Sequence, residues 1–257
     1  MKKTFMLLMA MVMVVMMAAG CGGGEKKAAE APKVLRVGTE PTFAPFEFQK
    51  DGSKEFDGFD MDLIRAIGKQ LNMKVEILNM GFDALIPALN AGNIDVAAAG
   101  MSITPDRQKA VDMSDPYYVA GLVVVVNKDN TAVKGINELN SKAIAVQIGT
   151  TGAERAAKVP GAKVKNFNTN AEVFLELKNK GVEAVIIDKP VAEYFLATGG
   201  GKDYAKIVGD TMEAESYGLS LKKNSPLTKD INKALLDLKK NGEYDKLYEK
   251  WFGAVKK

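Results

Sequence analysis

Residues 101–118, MSITPDRQKAVDMSDPYY, place a serine, a threonine, a proline and an arginine at what reads as the start of a helix. Thr104 is a suitable N-cap, whose side-chain oxygen takes an orphan backbone N–H, and Pro105 suits the first helical position, where its missing N–H costs nothing. Arg107 then falls in the first turn, where unpaired N–H groups already make the helix end positive and favour an anion over a cation. Two readings follow. Either Arg107 points into water or pairs with Asp106 or Asp112, or it is held there for an anion that comes from elsewhere.

A second candidate is QIGTTGAE, residues 147–154. Residues 149–152 predict a tight turn into a helix whose capping box is Thr151 with Glu154, leaving backbone N–H groups free to meet an anion. The P-loop spacing GxxxxGK[ST] is absent. Ala99 and Gly100 end one apolar run and Asp188 ends another. Ligands of open α/β sheets bind outside the carboxyl ends of strands, so these residues are expected to face one cleft.

Composition removes other chemistries. The chain has no histidine and a single cysteine, Cys21, so histidine-based triads, His/Cys zinc sites and structural disulfides are excluded. No metal and no cofactor is expected. Without residues 1–20 the chain keeps 33 basic and 32 acidic residues, which is no nucleic-acid footprint.

The N-terminus reads as an address. Lys2 and Lys3 precede an apolar run over residues 5–17, then Ala18, Ala19 and Gly20 lead to Cys21. That is the pattern of an export signal over residues 1–20, too short to span a membrane comfortably. Cys21 resembles the lipidated first residue after a bacterial lipobox, although Ala18 stands where leucine is usual. The alternative is ordinary cleavage with a free thiol. Residues 21–32 lack apolar periodicity and suit a flexible tether.

The elements that must position the candidates alternate in type. Strands are predicted over residues 34–37, 75–78, 94–100, 121–127, 143–147, 163–167, 183–187 and 217–221. Leu63, Ile64, Ile67 and Leu71 mark one helical face, residues 83–90 form a second helix, and Leu227, Ile231, Ala234, Leu235 and Leu238 mark a third. Short links between such elements imply an α/β architecture rich in parallel strands. FDALIPALNAGNIDVAAAG (82–100) and AEVFLELKNKGVEAVIID (171–188) echo each other as helix, glycine, acid and small apolar strand, which predicts two similar lobes.

The motifs VGTEPTFAPFEF, GFDMDLIRAI, FDALIPAL, AAGMSITPDR, MSDPYY, QIGTTGAE, VIIDKPVA and YDKLYEKWFG occur in order across residues 34–253. Together they resemble solute-binding protein family 3, the polar amino-acid-binding proteins that serve bacterial ABC importers. The resemblance implies a type II periplasmic-binding fold: two mixed, mostly parallel sheets joined by two crossover strands. It implies a large lobe over 33–116 and 217–257, a small lobe over 122–212, and a hinge at 117–121 and 213–216. It also implies a free L-amino acid as ligand, a permease as partner, a monomeric state and no enzymatic activity.

The same resemblance assigns roles. Arg107 would grip the ligand carboxylate, helped by the Ser102 hydroxyl and a backbone N–H near Thr150 and Thr151. Asp188, the Gly100 carbonyl beside Ala99, and Ser102 would hold the α-ammonium group. Phe43 and Phe82 would sandwich the side-chain stem. Glu40 stands at the side-chain end, where relatives resembling glutamine binders add a lysine and a histidine on the positions of Gln147 and Ile187. Without those groups Glu40 would be an uncompensated carboxylate, so a cationic amino acid such as arginine or lysine is expected. Glutamine or another neutral amino acid is the alternative, and a lyase resembling cyclohexadienyl dehydratase is a remote one.

Overall fold

In the computed structural model, residues 33–50, 52–198 and 200–254 are described, so Cys21 and the expected signal and tether over residues 1–32 lie outside the described residues. The chain starts with β1 (Lys33–Thr39), a small hairpin layer of β2 (Thr42–Phe43), β3 (Glu47–Gln49) and β4 (Phe56–Asp57), then α1 (Phe59–Gln70). Helix α1 forms because Leu63, Ile64 and Ile67 recur at helical spacing, and all three are buried. Its start requires Gly58, whose φ is 126°; a Cβ there would sit 2.1 Å from the Phe46 carbonyl oxygen.

β5 (Met73–Asn79) returns beside β1, and α2 (Leu85–Ala91), β6 (Val96–Ala97), α3 (Pro105–Ala110) and β7 (Val111–Met113) follow. The strand expected over residues 94–100 shrinks to Val96–Ala97, because the chain then turns toward the cleft and Gly100 takes φ 54°. The helix expected over residues 83–90 begins as a 3₁₀ turn, Phe82–Ala84, before α2.

β8 (Tyr118–Asn127) leaves this lobe and enters the second, which is built from β9 (Ala143–Gln147), α4 (Thr151–Ala157), β10 (Lys163–Phe167), α5 (Asn170–Lys178), β11 (Ala184–Asp188), α6 (Lys189–Thr198) and β12 (Ala205–Val208). β13 (Ala214–Tyr217) runs back, and β14 (Ser220–Lys222), α7 (Leu227–Lys240) and α8 (Glu243–Phe252) finish in the first lobe. The expected strand 217–221 is therefore two strands. Its first residue still pairs with β8, and the chain then crosses to lie between β6 and β7.

The first sheet has the order β5-β1-β6-β14-β7 and the second β10-β9-β11-β8-β12. Each is mixed in the same way, with two parallel junctions followed by two antiparallel ones. The equal topology bears out the echo between residues 82–100 and 171–188, since β6 and β11 hold the same central place in their sheets. Between the sheets, β8 pairs with β13 antiparallel, Tyr118 against Tyr217 through Gly121 against Ala214. These two strands run between the lobes, and the carboxyl ends of β1, β6, β9 and β11 face one another across the cleft.

Candidate functional site

Arg107 is brought inward by the local signals that the sequence displays. Thr104 caps α3 through an Oγ1 that accepts from the Arg107 N–H at 3.3 Å, and Pro105 occupies the first turn. The side chain is only 8% exposed. One guanidinium nitrogen donates to the Ser102 carbonyl at 2.8 Å and another to the Gly149 carbonyl at 2.9 Å, while the group lies over the Phe82 ring at 5.4 Å. Neither Asp106 nor Asp112 pairs with it; they pair with Lys109 and Lys223. Among the described residues no carboxylate forms an ion pair with Arg107. Burial lowers its pKa, opposed chiefly by the more distant Glu154, Glu215 and Asp188. Two backbone carbonyls and one aromatic face thus hold a buried guanidinium that has no ion-pair partner among the described residues.

A narrow cleft lies next to it, with a free volume of only ≈ 20 Å³ in this closed arrangement. Glu40, Phe43, Phe82, Ala99, Gly100, Ser102 and Arg107 line it from the first lobe, and Gln147, Thr150, Thr151 and Asp188 from the second. The structure thus gathers the eleven candidate ligand-contacting residues into one space. It adds one that was quoted within a motif but given no role, Glu47.

The turn before α4 differs from expectation by one residue. Thr150, not Thr151, is the N-cap: its Oγ1 accepts from the Ala153 N–H at 3.2 Å and donates to the Gln147 carbonyl at 2.8 Å. The capping box of the second lobe is Thr169 with Glu172 on α5 instead. Releasing Thr151 from capping leaves its hydroxyl to donate to Glu215 at 2.7 Å. The turn does face Arg107, but it meets the guanidinium through the Gly149 carbonyl oxygen.

The opposite wall is acidic. Asp188 Oδ1 accepts from the Tyr217 hydroxyl at 2.6 Å, and burial pushes its pKa up to about 7. Asp60, in the first turn of α1, accepts at Oδ2 from the Gly100 N–H at 2.9 Å and the Tyr117 hydroxyl at 2.6 Å; burial raises it too to about 7. Asp60 therefore anchors the Gly100 turn, where a Cβ would lie 2.5 Å from the Phe43 ring, so the aromatic face and the carbonyl beside it are set together. Glu40 Oε2 accepts from Thr42 Oγ1 at 2.7 Å and from Gln147 Nε2 at 2.8 Å across the cleft, with its pKa raised by burial. Glu47 is 1% exposed, its Oε2 has no hydrogen-bond partner among the described residues, and burial followed by Asp60, Glu40 and Asp188 holds its pKa well above the carboxylate range.

Four carboxyl groups in one desolvated region cannot all be ionised unless a cation joins them. Two consequences have opposite signs. From pH 3.8 up to about 7 the folded chain retains protons on Asp60 and Asp188 that the unfolded chain releases, so these groups make stability fall as pH rises across that window. A cation that needs ionised Asp188, which faces Arg107, Tyr217 and Glu215, should bind less tightly as pH falls below about 7. Affinity for a cationic ligand by calorimetry is expected to drop by about tenfold from pH 8 to pH 6 with proton release on binding, while the thermal midpoint without ligand rises. A flat affinity profile would remove Asp188 from the cation site.

The lobes are closed on each other. Besides Arg107–Gly149 and Glu40–Gln147, the Asn170 N–H donates to Thr42 Oγ1 at 3.0 Å, and Tyr217 on the returning strand reaches Asp188. Gln147 is fully engaged, donating also to the Asn168 carbonyl at 3.0 Å and accepting from Asn170 Nδ2 at 2.9 Å. Ile187 is buried and contributes no polar group to the side-chain end.

The family model for bacterial extracellular solute-binding proteins, family 3, matches residues 35–254. The chain is 33% identical over 227 residues to the arginine-binding extracellular protein ArtP of Bacillus subtilis (strain 168), covering 87% of this chain and 88% of that one. It is 34% identical over 229 residues to a probable histidine-binding protein of Neisseria gonorrhoeae, covering 88% and 85%. Among solved structures, an ancestral arginine-binding protein bound to arginine superposes with a TM-score of 0.83 at 47% identity, over 87% of this chain and 100% of that one. A match of this extent, with the two-lobed topology and the gathered cleft, shows that the chain belongs to the bacterial extracellular solute-binding proteins, family 3.

Proposed function

We propose that the protein is the extracytoplasmic receptor of an amino-acid ABC importer and that it binds a free cationic L-amino acid, of the arginine and lysine class, between its lobes. The observation that carries this reading is the charge pattern: one buried guanidinium without an ion-pair partner among the described residues, and a group of buried carboxyls of which two, Glu47 and Asp60, keep an oxygen without a hydrogen-bond partner, Glu47 alone of the two lining the cleft. Arg107 takes the α-carboxylate with two parallel hydrogen bonds. Asp188, with the Gly100 carbonyl and Ser102, takes the α-ammonium group. Phe43 and Phe82 flank the stem, and Glu47 with Glu40 receives the cationic head. A neutral side chain such as that of glutamine would leave Glu47 as a buried carboxyl with nothing to answer it. Relatives named for arginine and histidine binding support the same reading.

The lobes are residues 33–116 with 217–257, and 122–212, turning about 117–121 and 213–216; the β8–β13 pairing supports that hinge. Contacts drawn from both lobes favour the closed state, because they are all made only there. Binding and delivery, with no reaction, is the role of the cleft, since an amino acid satisfies every placed group. The protein works as a monomer with a membrane permease. We infer from Lys2, Lys3, the apolar run and the small residues before Cys21 that residues 1–20 export the chain and Cys21 carries a lipid anchor.

A thermal-shift screen of the twenty amino acids tests the reading. A ligand that binds only the folded state stabilises it by about 2.7 kcal/mol at 100 times its dissociation constant. Arginine or lysine is expected to give the largest shift; a larger shift with glutamine overturns the cationic reading, and no shift with any amino acid overturns amino-acid binding.

A further inference from the structure

Glu215 lies on β13, one of the two strands that run between the lobes. It does not line the cleft; it borders a wider groove that Thr104, Thr151 and Glu154 also line. Its Oε2 accepts from the Ser102 hydroxyl at 2.6 Å and from the Thr151 hydroxyl at 2.7 Å. Those two hydroxyls do line the cleft, one from each lobe. A hydroxyl has one hydrogen and two lone pairs. Once Glu215 has taken the hydrogen, each oxygen shows the cleft lone pairs alone, which accept from an ammonium and cannot donate to a carboxylate. Glu215 forms no ion pair with Arg107 among the described residues, so the guanidinium stays available for the α-carboxylate.

We propose that Glu215 is a positioning residue that sets Ser102 and Thr151 as acceptors, so that this part of the cleft selects an α-ammonium group. This reassigns Ser102, expected from the family resemblance to serve the ligand carboxylate as well, to the ammonium alone. The selection is tied to closure. Ser102 and Thr151 sit on different lobes, and one carboxylate oxygen serves both hydroxyls only when the lobes have met. An α-keto acid of the same side chain meets two acceptor oxygens with no hydrogen to give them, and an α-hydroxy acid has one hydrogen for the two.

The inference rests on the amino-acid reading above, and its test separates the two. Arginine and 5-guanidinopentanoate, which lacks only the α-ammonium group, are titrated by calorimetry into the wild type, Glu215→Ala and Glu215→Gln, with thermal melts to establish folding. The wild type is expected to prefer arginine, the alanine variant to lose about tenfold of that preference, and the glutamine variant, whose carbonyl oxygen still accepts both hydroxyls, to keep it within about threefold. A wild type that does not bind arginine overturns the amino-acid reading. Arginine binding with an unchanged ratio in Glu215→Ala overturns the role of Glu215 alone. A gain in affinity for both compounds in that variant also overturns it, since Glu215 would then compete with the ligand carboxylate. If the alanine variant does not fold, Glu215→Asp, which withdraws the carboxylate by one methylene, reads the same ratio.

Discussion

Arg107→Ala is expected to abolish amino-acid binding while leaving the fold intact. The guanidinium is 8% exposed and held by two backbone carbonyls, so its site is already built and already desolvated. Removing one partner of a buried charge pair costs about 3 to 5 kcal/mol, which is a loss of at least a hundredfold in affinity. Stability without ligand should barely fall, because the residue forms no ion pair within the described chain and its burial is itself unfavourable. Arg107→Lys should recover only part of the loss, since an ammonium cannot make the two parallel bonds of a guanidinium. Calorimetry with arginine, run beside a thermal melt, checks both halves. A dissociation constant close to that of the wild type in Arg107→Ala would show that the α-carboxylate lies elsewhere.

The second large effect belongs to Glu47. Glu47→Gln keeps size and shape but removes the charge that an arriving guanidinium or ammonium would draw out. A hydrogen bond to a charged group contributes about 1.5 to 3 kcal/mol against about 1 for a neutral one, so the arginine-to-glutamine preference should fall by roughly tenfold or more. Glu40→Gln should cost less. Glu40 Oε2 already accepts from Thr42 and Gln147, and part of its burial is compensated inside the protein, whereas Glu47 Oε2 has no partner. Competitive calorimetry of arginine, lysine and glutamine on both variants ranks the two acids. A larger loss from Glu40→Gln would return the main cation contact to Glu40, and no loss from either would end the cationic reading.

Local chemistry was legible in the sequence wherever one residue type answers one local need. Thr104 and Pro105 predict the start of α3, and the structure places Arg107 in its first turn as they require. Apolar spacing finds α1 and α7, and the short β runs find β8 through β11 to within a few residues. The absence of histidine and the single cysteine exclude whole classes of site without any geometry. The ordered motifs extend this to the family, because their order over residues 34–253 reflects one topology.

What the one-dimensional pattern left undecided depends on contacts between residues far apart in the chain. Thr150 and Thr151 are equally good caps by type; the backbone turn puts Thr150 at the cap, where its Oγ1 accepts from the Ala153 N–H, and leaves the Thr151 hydroxyl to Glu215, 64 positions further on. Glu47 sits between Phe46 and Phe48 on a strand whose alternation allows it to face in or out. Phe46 just before the strand packs against Phe59 and Phe252, and Glu47 is buried as well and lines the cleft, so both sides of the chain are covered here and alternation alone does not mark the acid as buried. Asp60 reads as an ordinary first-turn acid of α1, yet Gly100 and Tyr117 make it the anchor of the cleft floor. Residue type, spacing and order suffice for elements, exclusions and family, since these follow from bonding within a few residues. The charge state of the acids and the direction in which each hydroxyl donates do not follow from them: both are set by desolvation and by partners that meet only when the two lobes close.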